Sequence, residues 1–176
     1  MELIVAVIAV VILAPVIMIG WVLAAISTGS NGWFLQERVG RYGKTFKIHK
    51  LRTMNDGRVT GIGAILRKTK LDELPQLLNV ITGDMSIVGP RPDIPGYYDL
   101  LQGEDRRLLE LRPGLTSGAA IKYRNEEALL AAQDDPILYN DTILFPDKVA
   151  MNIEYMNKRS IATDFKIILQ TVISIF

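Results

Sequence analysis

LIVAVIAVVILAPVIMIGWVLAAI, Leu3 to Ile26, runs for 24 residues without a charge. At a rise of 1.5 Å per residue a straight helix of that length reaches about 36 Å, enough to cross a hydrocarbon core of about 30 Å. The stretch therefore reads as a membrane element. It lacks the basic leader of a cleaved signal and is too long for one, so it is expected to persist in the mature protein. Pro15, near its middle, removes a backbone hydrogen bond and bends a helix. Two topologies stay open on the residues: a kinked spanning helix, or a re-entrant helix that turns back with both ends on one side.

Outward from this stretch the charge pattern changes. Arg38, Arg41, Lys44, Lys47, Lys50, Arg52 and Arg58 face only Glu37 and Asp56, which by the positive-inside rule places the globular part in the cytoplasm. With 176 residues and 49% hydrophobic content, the chain can bury one compact core beside a membrane element. The expected organisation is a membrane-anchoring segment over 1–30 and a cytoplasmic catalytic domain over 31–176. A formal net charge of +1 argues against a nucleic-acid partner. There is no cysteine, which excludes disulfides, thiolate nucleophiles and zinc knuckles. The single histidine, His49, cannot build a histidine metal site and reads as an exposed strand residue. Acid–base work falls to carboxylates, lysines, tyrosines or a bound metal.

The soluble part reads as mixed α+β: a small sheet containing a β-hairpin, covered by several helices. Trp33-Phe34 is an interfacial aromatic pair, and Phe34–Val39 and Thr45–Met54 flank the glycine-bounded loop Gly40–Gly43 as a hairpin. Val59–Lys68 and the segment bearing Leu74, Leu77, Leu78 and Ile81 have helical spacing, and Met85–Val88 is a short strand leading into the rigid Gly89-Pro90-Arg91-Pro92. Tyr97–Leu111 is predicted as an amphipathic helix, followed by helices over Asn125–Gln133 and Asp147–Lys158. Ile161, Phe165, Ile168, Leu169, Val172, Ile175 and Phe176 give a C-terminal amphipathic helix suited to the membrane interface.

Leu71-Asp72-Glu73-Leu74-Pro75-Gln76-Leu77 sets two adjacent carboxylates at a helix start, behind Arg67, Lys68 and Lys70. The plain reading makes Asp72 an N-cap, with Glu73 and Pro75 in the first turn. The same position suits a nucleophile, because a helix N-terminus keeps a carboxylate ionised and attracts a phosphate. A carboxylate attacking phosphorus gives an acyl phosphate, and arginines or a divalent metal must then neutralise the non-bridging oxygens. Arg67, Arg91 and Arg124 are the candidate phosphate-binding residues, and Glu73 the candidate ligand for Mg²⁺.

Taken in order, Ala14-Pro15, Lys50-Leu51-Arg52-Thr53-Met54, Leu71–Leu77, Gly83-Asp84-Met85-Ser86, Gly89–Pro92 and Arg112-Pro113-Gly114-Leu115-Thr116 resemble the bacterial sugar transferases that act as monotopic phosphoglycosyl transferases. The resemblance covers nearly the whole chain. It implies a re-entrant membrane helix, a cytoplasmic active site at the bacterial inner membrane, and transfer of a phospho-sugar from a UDP-sugar to polyprenyl phosphate. By the same analogy Asp72 is the nucleophile, Glu73 its metal-binding partner, and Arg67 and Arg124 contact phosphate; Arg91 sits in a loop beside the site. Membrane lipid is a further partner, and the residues leave a homodimer open. Two competing readings use the same sequence: a direct transfer with Glu73 as general base, and a non-enzymatic membrane-anchored scaffold.

Overall fold

The computed structural model describes residues 2–175, the side chain of Ile175 excepted; Phe176, assigned above to the last helix, lies outside the described residues. Helix α1 (Glu2–Thr28) carries the apolar run and remains helical through Pro15. Strands β1 (Trp33–Val39) and β2 (Thr45–Leu51) form the expected antiparallel hairpin, in register from Trp33 opposite Leu51 to Val39 opposite Thr45. β2 ends three residues before the expected Met54. Met54–Asn55 (β3) pairs with Arg58–Val59 (β4) across a turn at Asp56 and Gly57, both of positive φ, so Val59 belongs to a strand. Helix α2 then spans Gly61–Lys68, capped by Thr60, whose hydroxyl accepts from the Gly63 amide.

A 3-10 turn over Leu71–Gln76 runs into α3 (Leu77–Thr82), which ends at Gly83 in the left-handed region. β5 (Ser86–Val88) lies parallel to β6 (Gly114–Thr116). The segment between them corrects the sequence reading. Tyr97–Leu111 is not one amphipathic helix but two 3-10 stretches, Tyr98–Leu100 and Gly103–Glu110, separated where Gly103 takes φ +58°. The chain closes with α4 (Gly118–Lys122), α5 (Glu126–Ala131), α6 (Pro136–Tyr139), a π-helical turn (Asn140–Leu144), α7 (Phe145–Lys158) and α8 (Ile161–Ile175).

Small residues decide how α1 sits. Ala6, Gly20, Ala24 and Thr28 form its buried stripe, and a Cβ on Gly20 would lie 2.8 Å from Leu51 Cδ1. Near its start, Ala6 packs with Ile48, Val80 and Met85; near its end, Ala24 packs with Leu51 and Leu66. Ser86 also donates to the Glu2 carboxylate at 2.6 Å. Both ends of α1 are thus fastened to the same domain. Only 11% of its most apolar window is buried, too little for the core helix of a water-soluble protein, and Ile4, Val11, Ile12, Met18, Ile19 and Ile26 are exposed. Helix α8 likewise buries Ile167 while exposing Ile161, Phe165, Leu169, Val172 and Ile173.

Two polar details hold the layers. Asn79, 2% exposed, accepts from the His49 amide and donates to the Lys47 carbonyl, so α3 satisfies the outer edge of β2. His49 itself is half-buried rather than exposed, its Nδ1 accepting from the Trp33 indole at 3.1 Å. The Trp33 ring packs against the Ala24, Leu51 and Leu66 cluster and so belongs in part to the domain core. Where β5 meets β6, backbone touches backbone: a Cβ on Gly114 would fall 2.1 Å from the Gly89 nitrogen. Gly114→Ala is therefore expected to lower the thermal unfolding midpoint in detergent by an amount equivalent to about 3 kcal/mol or more; an unchanged midpoint would show that the two backbones are not in contact.

Candidate active site

Lys70 adopts φ +57°, so the chain turns sharply after α2 and restarts as the 3-10 turn that carries both carboxylates. No side chain caps that start, which corrects the N-cap reading of Asp72. Leu71 packs against the cluster of Ala24, Leu51 and Leu66, and Asp72 is drawn in behind it to 6% exposure. Its Oδ1 is buried with no hydrogen-bond partner. Glu73 next to it is engaged through one oxygen: Oε1 takes a close charge-assisted bond from the Arg91 guanidinium and lies 3.8 Å from Lys50 Nζ. Arg91 in turn donates to the Leu115 carbonyl at 3.3 Å. Four of the motifs quoted above thereby meet at one point.

The electrostatics separate the two carboxyls. Burial, reinforced by the neighbouring Glu73 charge, pushes Asp72 up to about 6, against the pull of Lys50, Lys70 and Arg67. This reverses the expectation that the turn would simply hold Asp72 ionised; desolvation outweighs the nearby cations. Burial acts on Glu73 in the same direction, but Arg91, Lys50 and Lys70 together overcome it and bring Glu73 down to about 2. Lys50 is itself lowered by burial, partly restored by Glu73. At neutral pH Glu73 is a permanent anion, and Asp72 sits within reach of protonation.

The arginines divide. Arg91 is in the site. Arg67, at the end of α2, acts on the Asp72 charge and is fixed by its own bonds: Nε donates to Thr53 Oγ1 at 3.0 Å, Nη2 approaches Met54 Sδ at 3.3 Å, and Nη1 meets Glu127 at 3.3 Å. Arg124 is exposed between α4 and α5, and no hydrogen bond or ion pair among the described residues ties it to the carboxylates. The other two arginines are brought together with the dyad; Arg124 is not. Lys50, which faces Glu73, and Thr53, Met54 and Glu127, which bond to Arg67, are neighbours of the candidate residues that residue types alone did not single out. The first three were visible only as members of the Lys50–Met54 motif, and no sequence signal marked Glu127.

Residues 1–176 match the bacterial sugar transferase family. The chain belongs to that family. Among its relatives, the exopolysaccharide production protein ExoY of Sinorhizobium fredii is 30% identical over 97% of this chain and 81% of its own length. The UDP-glucose:undecaprenyl-phosphate glucose-1-phosphate transferases of Caulobacter vibrioides and Escherichia coli are 34% and 37% identical, over 92% and 79% of this chain but only 63% and 31% of theirs. Membership as a transferase removes the scaffold alternative.

The donor set of this sugar transferase suits a hard cation. Among the described residues no three acidic or histidine side chains gather into a metal cage. Mg²⁺, however, is commonly held by one or two carboxylates, with water and substrate phosphates completing its shell. The unpartnered Asp72 Oδ1 and the Glu73 carboxylate, whose ion pairs both use Oε1, are oxygens of that kind.

The two carboxyls carry opposite stability signatures. Asp72 binds its proton more tightly folded, at about 6, than at its ordinary 3.8, so the fold gains stability as pH falls through that window and pays for ionisation above it. Asp72→Asn is expected to raise stability at pH 7.5 by about 1–3 kcal/mol. Glu73 is the reverse: its contribution is present above pH 4.5 and lost as pH falls toward 2. Glu73→Gln leaves Arg91 without its partner and is expected to cost about 1–3 kcal/mol at neutral pH. Thermal melts of both variants in the same detergent check the signs.

Proposed function

We propose that this protein transfers a sugar 1-phosphate from a UDP-sugar to undecaprenyl phosphate in two steps through Asp72. The observation that carries the reading is the asymmetry of the dyad: a buried carboxylate with a free oxygen, set beside one that is locked by two cations. In the first step an Asp72 oxygen attacks the sugar-bearing phosphorus, and the bond to the bridging oxygen breaks. UMP leaves with the electron pair, and the phospho-sugar stays on Asp72 as a mixed anhydride. In the second step a phosphate oxygen of the polyprenyl acceptor attacks the same phosphorus, and the Asp72 carboxylate is released. One diphosphate is broken and one formed, so no other energy source is required.

The protein's groups have separate tasks in this scheme. Desolvation strips water from the Asp72 oxygen and raises its basicity, which favours attack, while Lys50, Lys70 and Arg67 limit the rise so that most of it is ionised at pH 7. Arg67 and Arg91 face the phosphate charge. Mg²⁺ held at Glu73, whose ion pairs both use Oε1, would supply further neutralisation of the diphosphate oxygens. Direct transfer with Glu73 as general base is disfavoured, since a carboxylate lowered to about 2 is too weak a base to draw a proton from a substrate near neutral pH.

The membrane placement follows from α1. A spanning helix would carry its first residues to the far side of the bilayer, whereas Glu2 is bonded to Ser86 and Ala24 packs on Leu51 of the same domain. We therefore assign α1 as re-entrant, with the catalytic domain on the cytoplasmic face of the inner membrane and the exposed face of α8 in the interface. An insoluble acceptor and a soluble donor can then meet at one site.

Intact-protein mass spectrometry with Mg²⁺ and a panel of UDP-sugars, without acceptor, is expected to give a phospho-sugar adduct on wild type and none on Asp72→Asn. Adduct formation should fall off below about pH 6 as Asp72 takes up its proton. UMP release that needs added polyprenyl phosphate and leaves no adduct would replace the covalent route with direct transfer. The absence of native cysteine makes topology equally direct. Single cysteines at Leu3 and Gly29 should both react from the cytoplasmic side; labelling from opposite sides would make α1 a spanning helix.

A further inference from the structure

Arg67 is held more firmly than a substrate-binding arginine on a surface helix needs to be. Gly63, one turn earlier on α2, has no room for a side chain: a Cβ there would lie 2.1 Å from the Thr53 carbonyl oxygen. The helix is therefore seated directly on the Thr53 backbone, and the Thr60 amide also donates to that carbonyl at 3.0 Å. Positions 63 and 67 share one helix face. The guanidinium of Arg67 consequently arrives over Thr53 with Nε on the Thr53 hydroxyl and Nη2 on Met54 Sδ. Thr53 is 7% exposed and has little freedom to follow a moving partner.

With that side of the fork taken, Nη1 remains, and both oxygens of the Glu127 carboxylate lie on it at 3.3 and 3.4 Å. Glu127 stands on the first turn of α5, with its side chain 88% exposed. Its neighbour Glu126 is anchored differently, by a 2.6 Å contact with Lys148, a side chain only 15% exposed. Glu127 thus reaches back from solvent to cover the one free edge of an arginine whose other edge is rigidly seated. A carboxylate and a phosphate present the same pair of acceptors to a guanidinium. The Arg67–Glu127 pair is also solvent-exposed on the acidic side, so its rupture costs little.

We propose that Glu127 is an internal stand-in for the donor's diphosphate: it occupies Arg67 in the free enzyme and is displaced when the nucleotide sugar binds, setting donor affinity. This rests on the phosphate-binding role given to Arg67 above. The displaced carboxylate returns to water, while the arginine stays where Thr53 and Met54 hold it. The exchange lowers donor affinity modestly, because an exposed pair of this kind costs little to break.

UDP is the probe, titrated into the full-length protein in nanodiscs by calorimetry for wild type, Glu127→Gln, Arg67→Ala and the double variant. Glu127→Gln is expected to bind UDP three- to tenfold more tightly than wild type, and Arg67→Ala more weakly. In the Arg67→Ala background, Glu127→Gln should change affinity by less than about 1.5-fold, because direct competition needs the arginine. In steady-state assays Glu127→Gln should lower the donor KM, and a KM equal to that of wild type would count against the exchange. UDP binding no tighter in Glu127→Gln would overturn the proposal, as would a gain that persists in full without Arg67, which is only a long-range charge effect. The Asp72 adduct separates the two readings: a normal adduct with no effect of Glu127→Gln removes this inference alone, whereas no adduct in either protein removes the transfer mechanism.

Discussion

The Glu73–Arg91 ion pair joins the parts of the molecule that chemistry requires to be adjacent. Glu73 rides on the 3-10 turn between α2 and α3; Arg91 comes from the proline-framed loop after β5, and its second bond ties that loop to Leu115 on β6. Lys50 brings the end of the hairpin to the same carboxylate. An ion pair this sheltered is costly to assemble from water, and its net effect on stability is small when both partners are present. What it does is set charge. By fixing Glu73 as an anion, it leaves Asp72 as the single titrating carboxyl of the pair and adds a like charge that raises it. Two chemically similar neighbours acquire different roles through environment alone.

The backbone explains why this arrangement is not interchangeable with a looser one. Arg91 can reach Glu73 only if β5 and β6 lie parallel and almost touching, and that in turn needs two residues without side chains, Gly89 and Gly114, at the crossing. The left-handed Lys70 does the corresponding work upstream, turning the chain so that the two carboxylates leave α2's axis and face inward. Arg67, seated by Gly63 on Thr53, completes the third side. Each of the motifs that first drew attention as a string of letters resolves into a close approach or a bond between them.

Much of this was legible from residue order and much was not, and the division is physical. The apolar run, the hairpin, α2, α3 and the last helix have strong periodicity or clear turn residues, and the structure has them within a few residues. Tyr97–Leu111 failed because Tyr98, Leu101, Leu108 and Leu109 have spacings that both α and 3-10 geometry can bury; Gly103, at positive φ, decided against a continuous helix. The Asp72 carboxyl was misjudged for another reason. Nearby lysines and arginines are visible in sequence, but desolvation depends on what packs over a side chain, and that comes from α1, β2 and α2 through the Leu71 cluster. Arg124 is the converse: the resemblance gave it a role, and among the described residues it makes no hydrogen bond or ion pair with the dyad.

The same cluster links the membrane to the chemistry. Ala24 of α1, Leu51 of β2 and Leu66 of α2 meet Leu71, the residue immediately before Asp72. A membrane helix usually contributes only location, but here its small-residue stripe packs into the cluster that seats the residue preceding Asp72. Arg67 and Lys70 act against the burial of Asp72, pulling its carboxyl toward ionisation. Asp72 stands between an apolar cluster and a group of cations, and its elevated pKa is the balance of burial and the Glu73 charge against Lys50, Lys70 and Arg67. A carboxylate placed deeper would remain protonated and inert; one placed further out would be hydrated and a poorer nucleophile.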